Sequence, residues 1–440
     1  MRIPEKPPLI PADFKFERVF EELTDSGRFL EFLEINDNKY YYFDKWKYRA
    51  KDWGLDATRI WGAVKALRFS NKPLVISGLP GFMFIIGAPS IVQQYLHDFD
   101  LHLGGSLQGD TIIPSEDKTR YLISSLMEEA IASSQLEGAA TTRKVAKEML
   151  ESNRKPQNAS EQMILNNYEA MKWIVSNKDK PFTIDTIKEI HAILTRSTLS
   201  NAEAEGAFRK TDDIKVVDVQ TKEAVYTPPH SENLAILMND FCTFANDREK
   251  RSFFMHPITK GIILHFLIGY IHPFVDGNGR TARTVFYWYL IKQGYWLIEY
   301  MSVSRIILNS KAQYAKAYLY TEQDENDLTY FVIYNLKAIH QALEDLKKYI
   351  QHKSAEKQNA ITLLRNTSFN DRQIVLIQDL IQDPATFFTV QQVQTKFGIS
   401  NQTARNDLND LVNQGVLEER RSGHRIQYLP VKEFIRKIVK

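Results

Sequence analysis

The residues best suited to chemistry lie together at positions 272–283, which read His-Pro-Phe-Val-Asp-Gly-Asn-Gly-Arg-Thr-Ala-Arg. His272 is the one group in this stretch whose proton is exchanged near neutral pH, so it could act as a general base. Further along, Asp276 supplies a hard carboxylate of the kind that binds Mg²⁺. This pattern predicts a site in which a general base lies close to a bound Mg²⁺ ion.

The same stretch carries groups that bind phosphate. An apolar helical run ends before it, and two glycines leave the backbone uncovered where the next helix begins. The N–H groups of Gly277, Asn278 and Gly279 can therefore point at an anion, and the positive end of the new helix adds to the attraction. Arg280 and Arg283 share one face of that helix, as a row of phosphates requires. We therefore predict a site for a polyphosphate with its Mg²⁺ ion.

Taken together, positions 272–283 resemble the Fic family, whose motif His-Pro-Phe-x-(Asp/Glu)-Gly-Asn-Gly-Arg-x-x-Arg they match without a gap. The resemblance implies a nucleotidyltransferase of the protein adenylyltransferase type. Such an enzyme moves AMP from Mg·ATP to a Ser, Thr or Tyr hydroxyl of a target protein and releases pyrophosphate. Gly279 agrees with this branch of the family, since the Doc kinases have lysine at that position.

The resemblance also implies a role for each residue of the motif. His272 is expected to remove the proton of the acceptor hydroxyl, and Asp276 is expected to hold Mg²⁺. The implied ATP-binding residues are Gly277, Asn278 and Gly279 at the α-phosphate, Arg280 and Arg283 at the outer phosphates, and Asn309 near the adenine. ATP is thus the predicted substrate, and Mg²⁺ is the predicted cofactor.

A second informative stretch is the predicted helix over residues 116–138, which has an apolar stripe at helical spacing. A glycine marks its end, so Glu137 lies at the negative end of the helix dipole, where a carboxylate is unfavourable without a cation. A solvated glutamate is one interpretation. However, residues 133–138, Ser-Ser-Gln-Leu-Glu-Gly, also resemble the Fic inhibitory motif (Ser/Thr)-x-x-x-Glu-(Gly/Asn). That resemblance implies that Ser133 and Glu137 belong to an inhibitory helix, and that Glu137 pairs with Arg283 and auto-inhibits the enzyme.

A predicted hairpin precedes the catalytic stretch. Two short extended runs, residues 214–219 and 224–226, flank the sequence Gln-Thr-Lys-Glu. Their length and position resemble the flap of Fic proteins, whose edge could hold a target segment by strand addition. The alternative is an ordinary surface hairpin.

The composition is that of an ordinary globular protein, with 43% hydrophobic and 25% charged residues. The net charge of +2 gives no general argument for binding to nucleic acid or to a membrane. The single Cys242 excludes a disulfide framework, and we expect neither a signal peptide nor a membrane span, so the predicted location is cytoplasmic. His256 and His265 are not expected to ligate a metal with His272, because no third-ligand spacing or acidic cluster accompanies them.

The predicted fold is mainly α: a Fic helical core with a β-hairpin flap, a mixed N-terminal region and a C-terminal winged helix-turn-helix. The expected boundaries are residues 1–110 for the N-terminal region, 111–350 for the core with its inhibitory helix, and 360–440 for the winged helix. A polar linker over residues 351–359 precedes the winged helix. The other predicted helices cover residues 56–68, 161–176, 184–194, 233–246 and 304–318, and an extended run covers residues 74–86.

The C-terminal region has the pattern of a winged helix. Three helices are predicted at residues 371–382, 390–397 and 401–414, with a hairpin of residues 417–421 and 425–428. The predicted recognition helix opens with Asn401, Gln402 and Arg405. Acidic residues balance basic ones in this region, whereas proteins that read DNA normally show a basic face. Residues 370–430 could therefore bind either DNA or a protein partner, and the sequence favours neither.

Two alternatives to AMP transfer follow from the same residues. In the first, the chain is a DNA-binding transcriptional regulator whose Fic core senses nucleotide. In the second, the site works in reverse as a de-AMPylating enzyme, and Glu137 positions the attacking water.

Overall fold

The structure is a computed structural model of the 440-residue chain. It describes residues 3–11, 13–104, 113, 118–217, 224–247, 253–363, 369–383, 386–422 and 425–431. Within these ranges the chain is mainly helical, and its named strands form two-stranded hairpins. The predicted fold class is confirmed.

The N-terminal region packs helices around a small hairpin. Its helices are α1, Phe16–Asp25, α2, Phe29–Asn38, α3, Phe43–Asp52, α4, Ala57–Leu67, and α5, Ser90–His102. The hairpin pairs β1, Lys72–Val75, with β2, Met83–Ile86, in antiparallel register. Residues 74–86 are therefore not one extended run, because a turn at Gly81, where φ is 86°, reverses the chain. Ile85 forms a parallel bridge with Asp327, which attaches the hairpin to the core.

The core is helical and is built around two buried helices. Its helices are α6, Lys118–Leu136, α7, Arg143–Glu151, α8, Ala159–Ser176, α9, Ile184–Thr195, α10, Leu234–Ala245, α11, Pro257–Ile271, α12, Asn278–Lys292, α13, Val303–Asn309, α14, Lys311–Gln323, and α15, Thr329–Leu363. Nearly every side chain of α11 and α12 is buried. α11 is apolar nearly all round, which is typical of a helix inside a core, whereas the first two turns of α12 bury polar side chains. The loop between α11 and α12, residues 272–277, is therefore anchored at both ends by the most buried helices.

Two predicted segments differ from the structure. Residues 304–318 are not one helix, because at Ser310 the backbone has φ −133° and ψ 35°, and the chain breaks into α13 and α14. The Ser310 hydroxyl lies 2.8 Å from both the Ile306 carbonyl oxygen and the Tyr334 hydroxyl, which ties this break to α15. Residues 351–359, predicted as a polar linker, are helical and continue α15.

The hairpin before the catalytic stretch pairs β3, Val216–Val217, with β4, Ala224–Tyr226. The predicted turn at residues 220–223 and the end of the first predicted run lie outside the described residues. The Tyr226 hydroxyl donates to the Tyr270 carbonyl oxygen at 2.8 Å. This bond holds β4 against the last turn of α11.

The C-terminal region forms three helices and a hairpin with an apolar core of their own. The elements are α16, Asp371–Gln382, α17, Val390–Phe397, α18, Asn401–Asn413, β5, Leu417–Ser422, and β6, Arg425–Pro430. Asn370, Thr389 and Ser400 cap the three helices, each side chain accepting a backbone N–H. No helix in the described ranges is long and apolar enough to cross a membrane.

Candidate active site

The catalytic stretch begins where α11 ends, at His272. This residue has φ 51° and ψ 58°, a left-handed conformation that side chains with a Cβ seldom adopt. Its Nδ1 lies 3.1 Å from the Gly269 carbonyl oxygen. Because a carbonyl oxygen can only accept, Nδ1 carries the proton of the neutral ring and Nε2 keeps its lone pair. His272 thus has the tautomer that a general base at Nε2 requires.

The surroundings of His272 also favour its neutral form. Burial lowers the pKa of His272, although the hydrogen bond to Gly269 acts to raise it. The charge of Arg209 acts to lower this pKa further, and the charges of Glu137 and Asp276 act to raise it. Because the net effect is a lowering, the ring is neutral at pH 7 and can accept a proton.

The side chains of Asn278 and His191 brace the catalytic loop, and the sequence gives no signal for this role of either residue. The Asn278 side chain accepts the Phe274 N–H at 2.9 Å and donates to the Phe274 carbonyl oxygen at 2.8 Å. His191 of α9 stacks on Phe274, with ring centroids 3.7 Å apart, and its Nε2 donates to the Asp276 carbonyl oxygen at 2.8 Å. Its Nδ1 accepts the Gly206 N–H at 2.9 Å. A single histidine on an apolar helix gives no sequence signal for such a role.

The start of α12 offers backbone N–H groups to an anion. Gly277 has φ 81°, and a Cβ at this position would lie 2.8 Å from Thr195 Cγ2, so glycine is required. Asn278 and Gly279 are the first residues of the helix, and their N–H groups have no intrahelical acceptor. The Gly277 N–H, in contrast, donates to the Asp276 carboxylate at 2.6 Å. Two of the three amides predicted to bind phosphate are thus available.

Asp276 has the properties of a Mg²⁺ ligand at the edge of this site. Its side chain is 60% exposed, and its carboxylate lies 3.6 Å from Arg280 Nη2. Proteins usually bind Mg²⁺ through one or two carboxylates, with substrate phosphates and water completing the shell. A single exposed carboxylate beside two available amides fits that pattern. Within the described ranges, no group of three or more His, Cys, Asp or Glu side chains could hold a metal.

Arg280 is buried beneath the loop. Its Nη1 donates to the Leu194 carbonyl oxygen at 2.9 Å, and its Nε has no hydrogen-bond partner among the described residues. Burial lowers the pKa of Arg280, although the charges of Asp276 and Glu137 act in the opposite direction. In this arrangement Arg280 joins α12 to α9, and its contact with phosphate stays a prediction.

Arg283 joins the catalytic helix to the predicted inhibitory segment. Its Nη2 donates to Glu137 Oε1 and to the Ser133 carbonyl oxygen, both at 2.9 Å, and its Nε donates to Ser133 Oγ at 2.9 Å. Burial acts to lower the pKa of Arg283, but the charge of Glu137 raises it, and the net result is a raised pKa. The structure therefore brings Ser133, Glu137 and Arg283 together.

The Glu137 carboxylate also fills the space next to Gly279. A Cβ at Gly279 would lie 2.2 Å from Glu137 Oε1 and 3.2 Å from Arg283 Nη1. A side chain at position 279 is thus incompatible with this position of Glu137. The carboxylate lies at the start of α12, where the sequence predicts phosphate and where the helix dipole favours negative charge.

The remaining predicted and rejected site residues lie elsewhere. Asn309 is exposed at the end of α13, and no hydrogen bond joins its side chain to the catalytic loop in the described part of the chain. His265 is buried, with Nε2 2.8 Å from the Tyr314 hydroxyl. His256 caps α11 by accepting the Ile258 N–H. The structure therefore gives Asn309 no observed contact that supports a role in binding adenine.

Two buried histidines, His191 and His265, should make the stability of the core pH-dependent. Burial lowers the pKa of His191 to about 4, and burial, helped by the charge of Arg283, lowers that of His265 to about 3. In an unfolded chain, histidine titrates near pH 6.5, so the unfolded state binds more protons from about pH 6.5 down to about pH 4 through His191 and down to about pH 3 through His265. The free energy of unfolding is therefore expected to be greatest above about pH 6.5 and to fall as the pH decreases toward about 3.

Denaturant unfolding at about pH 7.5 and about pH 5 measures this dependence. The His265→Asn variant lacks one of the two titrating groups, so the difference between its two free energies should be smaller than in the parent protein. An equal difference in both proteins would show that His265 does not contribute.

Comparison with known proteins identifies two domains in the chain. The model of the Fic/DOC family matches residues 181–290, and that of the DeoR-like helix-turn-helix domain matches residues 373–427. The chain therefore contains a Fic domain followed by a helix-turn-helix domain. The two domain types predicted from the sequence are confirmed.

Curated relatives and solved structures are similar to parts of the chain. A protein of Aedes aegypti named Protein adenylyltransferase Fic is 34% identical over 131 residues, which are 29% of this chain and 23% of the relative. A protein of Nematostella vectensis with the same name is 34% identical over 132 residues, 29% of this chain and 28% of the relative. The chain thus spans only 23% and 28% of the lengths of these two relatives.

Among solved structures, a Fic family protein from Desulfovibrio desulfuricans G20 aligns with a TM-score of 0.47 at 18% identity, covering 79% of this chain and 97% of that one. A signalling protein from Bacteroides thetaiotaomicron with a Fic domain aligns with a TM-score of 0.48 at 20% identity, covering 59% of this chain and 97% of that one.

Proposed function

We propose that this chain, which contains a Fic domain, is a protein adenylyltransferase that moves AMP from Mg·ATP to a Ser, Thr or Tyr hydroxyl of a target protein. The observation that carries the proposal is the geometry at the start of α12. His272 is neutral, and its Nε2 has no hydrogen-bond partner among the described residues. One loop, residues 272–277, separates it from the amides of Asn278 and Gly279 on the helix that also carries Arg283. A base for the acceptor and donors for a polyphosphate are thus fixed on the same pair of helices.

The chemistry requires a single proton acceptor. His272 Nε2 takes the proton of the acceptor hydroxyl as the oxygen forms a bond to the α-phosphorus of ATP. The bond between the α-phosphorus and the oxygen that bridges it to the β-phosphorus breaks, and pyrophosphate leaves with that oxygen. The amides of Asn278 and Gly279 stabilise the charge that develops on the α-phosphoryl oxygens. Asp276 would hold Mg²⁺, which neutralises phosphate charge.

Glu137 keeps this activity low in the resting protein. One guanidinium cannot hold both Glu137 and the outer phosphates of ATP in productive geometry, and the carboxylate already occupies the space beside Gly279. ATP is therefore expected to bind weakly, or with its α-phosphorus poorly aligned for attack. The strand pair β3–β4 provides the edge against which a target segment is proposed to lie.

Mass spectrometry of the purified protein and of lysate proteins, after incubation with Mg·ATP, tests the proposal. We expect AMP to be attached to a hydroxyl side chain, and most strongly when Glu137 is replaced by glycine. Loss of AMP from an already modified protein would instead support the reverse reaction. If AMP is neither attached nor removed, the proposed function is wrong.

The helix-turn-helix domain supports a second candidate function, DNA binding by the same chain. Two of its acidic residues are neutralised internally: Asp407 is buried against Arg372, and Asp379 is paired with Lys396. Asn401 and Gln402 in the first turn of α18, and Arg405 just after it, are exposed. These amide and guanidinium side chains are of the kinds that read base edges in the major groove. Because each of these pairs also uses a basic side chain, the balance of charge in this region is unchanged, and the exposed polar side chains of α18 are the observation that favours DNA.

If α18 reads DNA, replacing Arg405 with alanine should weaken binding by about 1–3 kcal/mol for a base contact, because a charged donor to the nucleic acid is lost. The affinity of the parent chain should also fall steeply as the salt concentration rises. Fluorescence anisotropy with a DNA library at low salt measures both effects. Arg59→Ala removes a partly exposed arginine of the N-terminal region and serves as the matched control. The absence of any binding at low salt would leave a protein as the partner.

A further inference from the structure

Arg209, just before the flap, joins the flap to the catalytic loop. Its side chain is 1% exposed, although it is a charged residue in a connecting segment. On the side of the catalytic loop, its backbone N–H donates to the Pro273 carbonyl oxygen and its Nε donates to the His272 carbonyl oxygen, both at 2.9 Å. On the side of the flap, its Nη1 donates to the Thr211 carbonyl oxygen and to Asp212 Oδ1, both at 2.9 Å. Its Nη2 donates to the Pro229 carbonyl oxygen. A buried guanidinium with every donor group engaged is rigidly held.

The bond to His272 acts on a strained residue. A left-handed conformation costs a residue with a Cβ on the order of 1–3 kcal/mol, and it persists when surrounding contacts fix it. The direction of the His272 carbonyl group defines the ψ angle of this residue, which is 58°. The hydrogen bond from Arg209 Nε fixes the direction of the His272 carbonyl group. The hydrogen bond from His272 Nδ1 to the Gly269 carbonyl oxygen fixes the orientation of the ring. Arg209 therefore helps to set the direction in which Nε2 points.

Asp212 extends the same connection across the base of the flap. Its Oδ1 accepts the Ser231 N–H at 2.7 Å as well as Arg209 Nη1, and its Oδ2 lies 2.8 Å from His230 Nδ1. The bond to His230, with that of the Ser231 N–H, lowers the pKa of the Asp212 carboxyl, so it is charged at pH 7. The segment before β3 and the segment after β4 are thus both joined to Arg209, directly or through Asp212.

We propose that Arg209 is a positioning residue, which holds His272 in its left-handed conformation and fixes the root of the flap at the same point. The flap that binds the target segment and the base that deprotonates its hydroxyl group are then held in a fixed position relative to each other. This inference rests on the proposed AMP transfer. Residues 206–209 read Gly-Ala-Phe-Arg, and only the fold shows what this arginine binds.

The test uses the full chain with Glu137→Gly as the parent and compares Arg209→Lys, Arg209→Gln and Lys210→Gln. Lysine keeps the charge of Arg209 and loses the bridging bonds, whereas glutamine loses both. Lys210 is the exposed neighbour and serves as the matched control. Because misplacing a base by about 1 Å can cost a hundredfold, we expect kcat with the target to fall about tenfold to a hundredfold in both Arg209 variants. The KM for ATP should change by less than about twofold, since the phosphate groups are untouched.

The pH profile separates positioning from simple loss of stability. The charged groups that face His272 are Arg209 from the flap root, Asp276 from its own loop and Glu137, which the parent lacks. Removing the positive charge in Arg209→Gln should raise the pKa of His272 and move the acid limb of kcat/KM to higher pH. Arg209→Lys should leave that limb in place. A folded Arg209→Lys protein with the parent kcat would overturn the inference, as would an equal loss in Lys210→Gln.

Two further measurements cover the remaining outcomes. If the Arg209 variants do not fold, Asp212→Asn, which alters a half-exposed carboxylate, takes their place. It should lower kcat with unchanged affinity for ATP, and an unchanged kcat would contradict the inference. If the parent transfers no AMP, the proposed function fails, and NMR spectra of the His272 ring test the role of Arg209 independently. In Arg209→Lys, which keeps the charge but loses the bond to the His272 carbonyl oxygen, the ring resonances should shift relative to Lys210→Gln, and equal resonances in the two proteins would rule the role out.

Discussion

Replacing His272 with alanine is expected to lower the rate of AMP transfer by about a hundredfold to ten-thousandfold, the usual contribution of a general base. The physical reason is the free Nε2, which the Nδ1 bond to Gly269 and the buried setting keep unprotonated. Alanine removes the acceptor for the hydroxyl proton and leaves the amides of α12 and Arg283 in place. The rate is measured with labelled ATP in the Glu137→Gly protein, where the activity is expected to be high enough to follow.

Binding of ATP distinguishes this role from a structural one. His272 handles the acceptor proton and touches no phosphate, so the dissociation constant for Mg·ATP should stay near that of the parent. His97→Ala, which removes an exposed histidine of α5, is the matched control and should transfer AMP at the parent rate. If His272→Ala also transfers AMP at the parent rate, another group acts as the base.

Replacing Glu137 with glycine is expected to raise AMP transfer by an order of magnitude or more. A charge-assisted hydrogen bond is worth roughly 1.5–3 kcal/mol, which corresponds to roughly a tenfold to hundredfold change in occupancy. Without Glu137, Arg283 becomes free to bind the outer phosphates. It also stays oriented, because Ser133 still accepts two of its hydrogen bonds. Rates of AMP incorporation from labelled ATP measure the gain.

Two variants separate the charge of Glu137 from the volume of its side chain. Glu137→Gln removes the charge but leaves a side chain beside Gly279, so we expect a smaller gain than with glycine. Glu151→Gly, which removes another glutamate at the end of a helix, is the matched control and should not activate. Adding Arg283→Ala to Glu137→Gly should erase the gain. An unchanged rate in Glu137→Gly would mean that the pair with Arg283 has no inhibitory role.

The alternative role of Glu137, positioning water for removal of AMP, leads to the opposite result. In that case Glu137→Gly would lose the ability to remove AMP from a modified protein, and the parent would remove it in the presence of Mg²⁺. Incubating both proteins with the same AMP-modified target therefore decides which reaction uses this carboxylate.

The sequence by itself was sufficient to predict the elements whose interacting residues are close along the chain. The catalytic stretch, its glycine turn and the helix that follows it depend on φ preferences, capping and helical spacing within a dozen or so residues. For the same reason, the helices of the winged helix, with caps at Asn370, Thr389 and Ser400, agree with their predicted bounds to within about one residue. Local signals failed where tertiary contacts override them, as at the break at Ser310, which a hydrogen bond to Tyr334 stabilises.

The tertiary structure decided which distant groups complete the site. Glu137 lies 146 residues from Arg283, so composition alone could not distinguish a solvated glutamate from a paired one. His191 and Arg209 form hydrogen bonds with residues of the catalytic loop that are 85 and 63 positions further along the chain. Helical and strand periodicity relates only residues within one element, so neither contact can be predicted from it. Such contacts depend on how α9 and the flap root pack against α11 and α12. A buried donor there is stable only when a specific acceptor meets it, and folding selects that acceptor from parts of the chain that local patterns cannot connect.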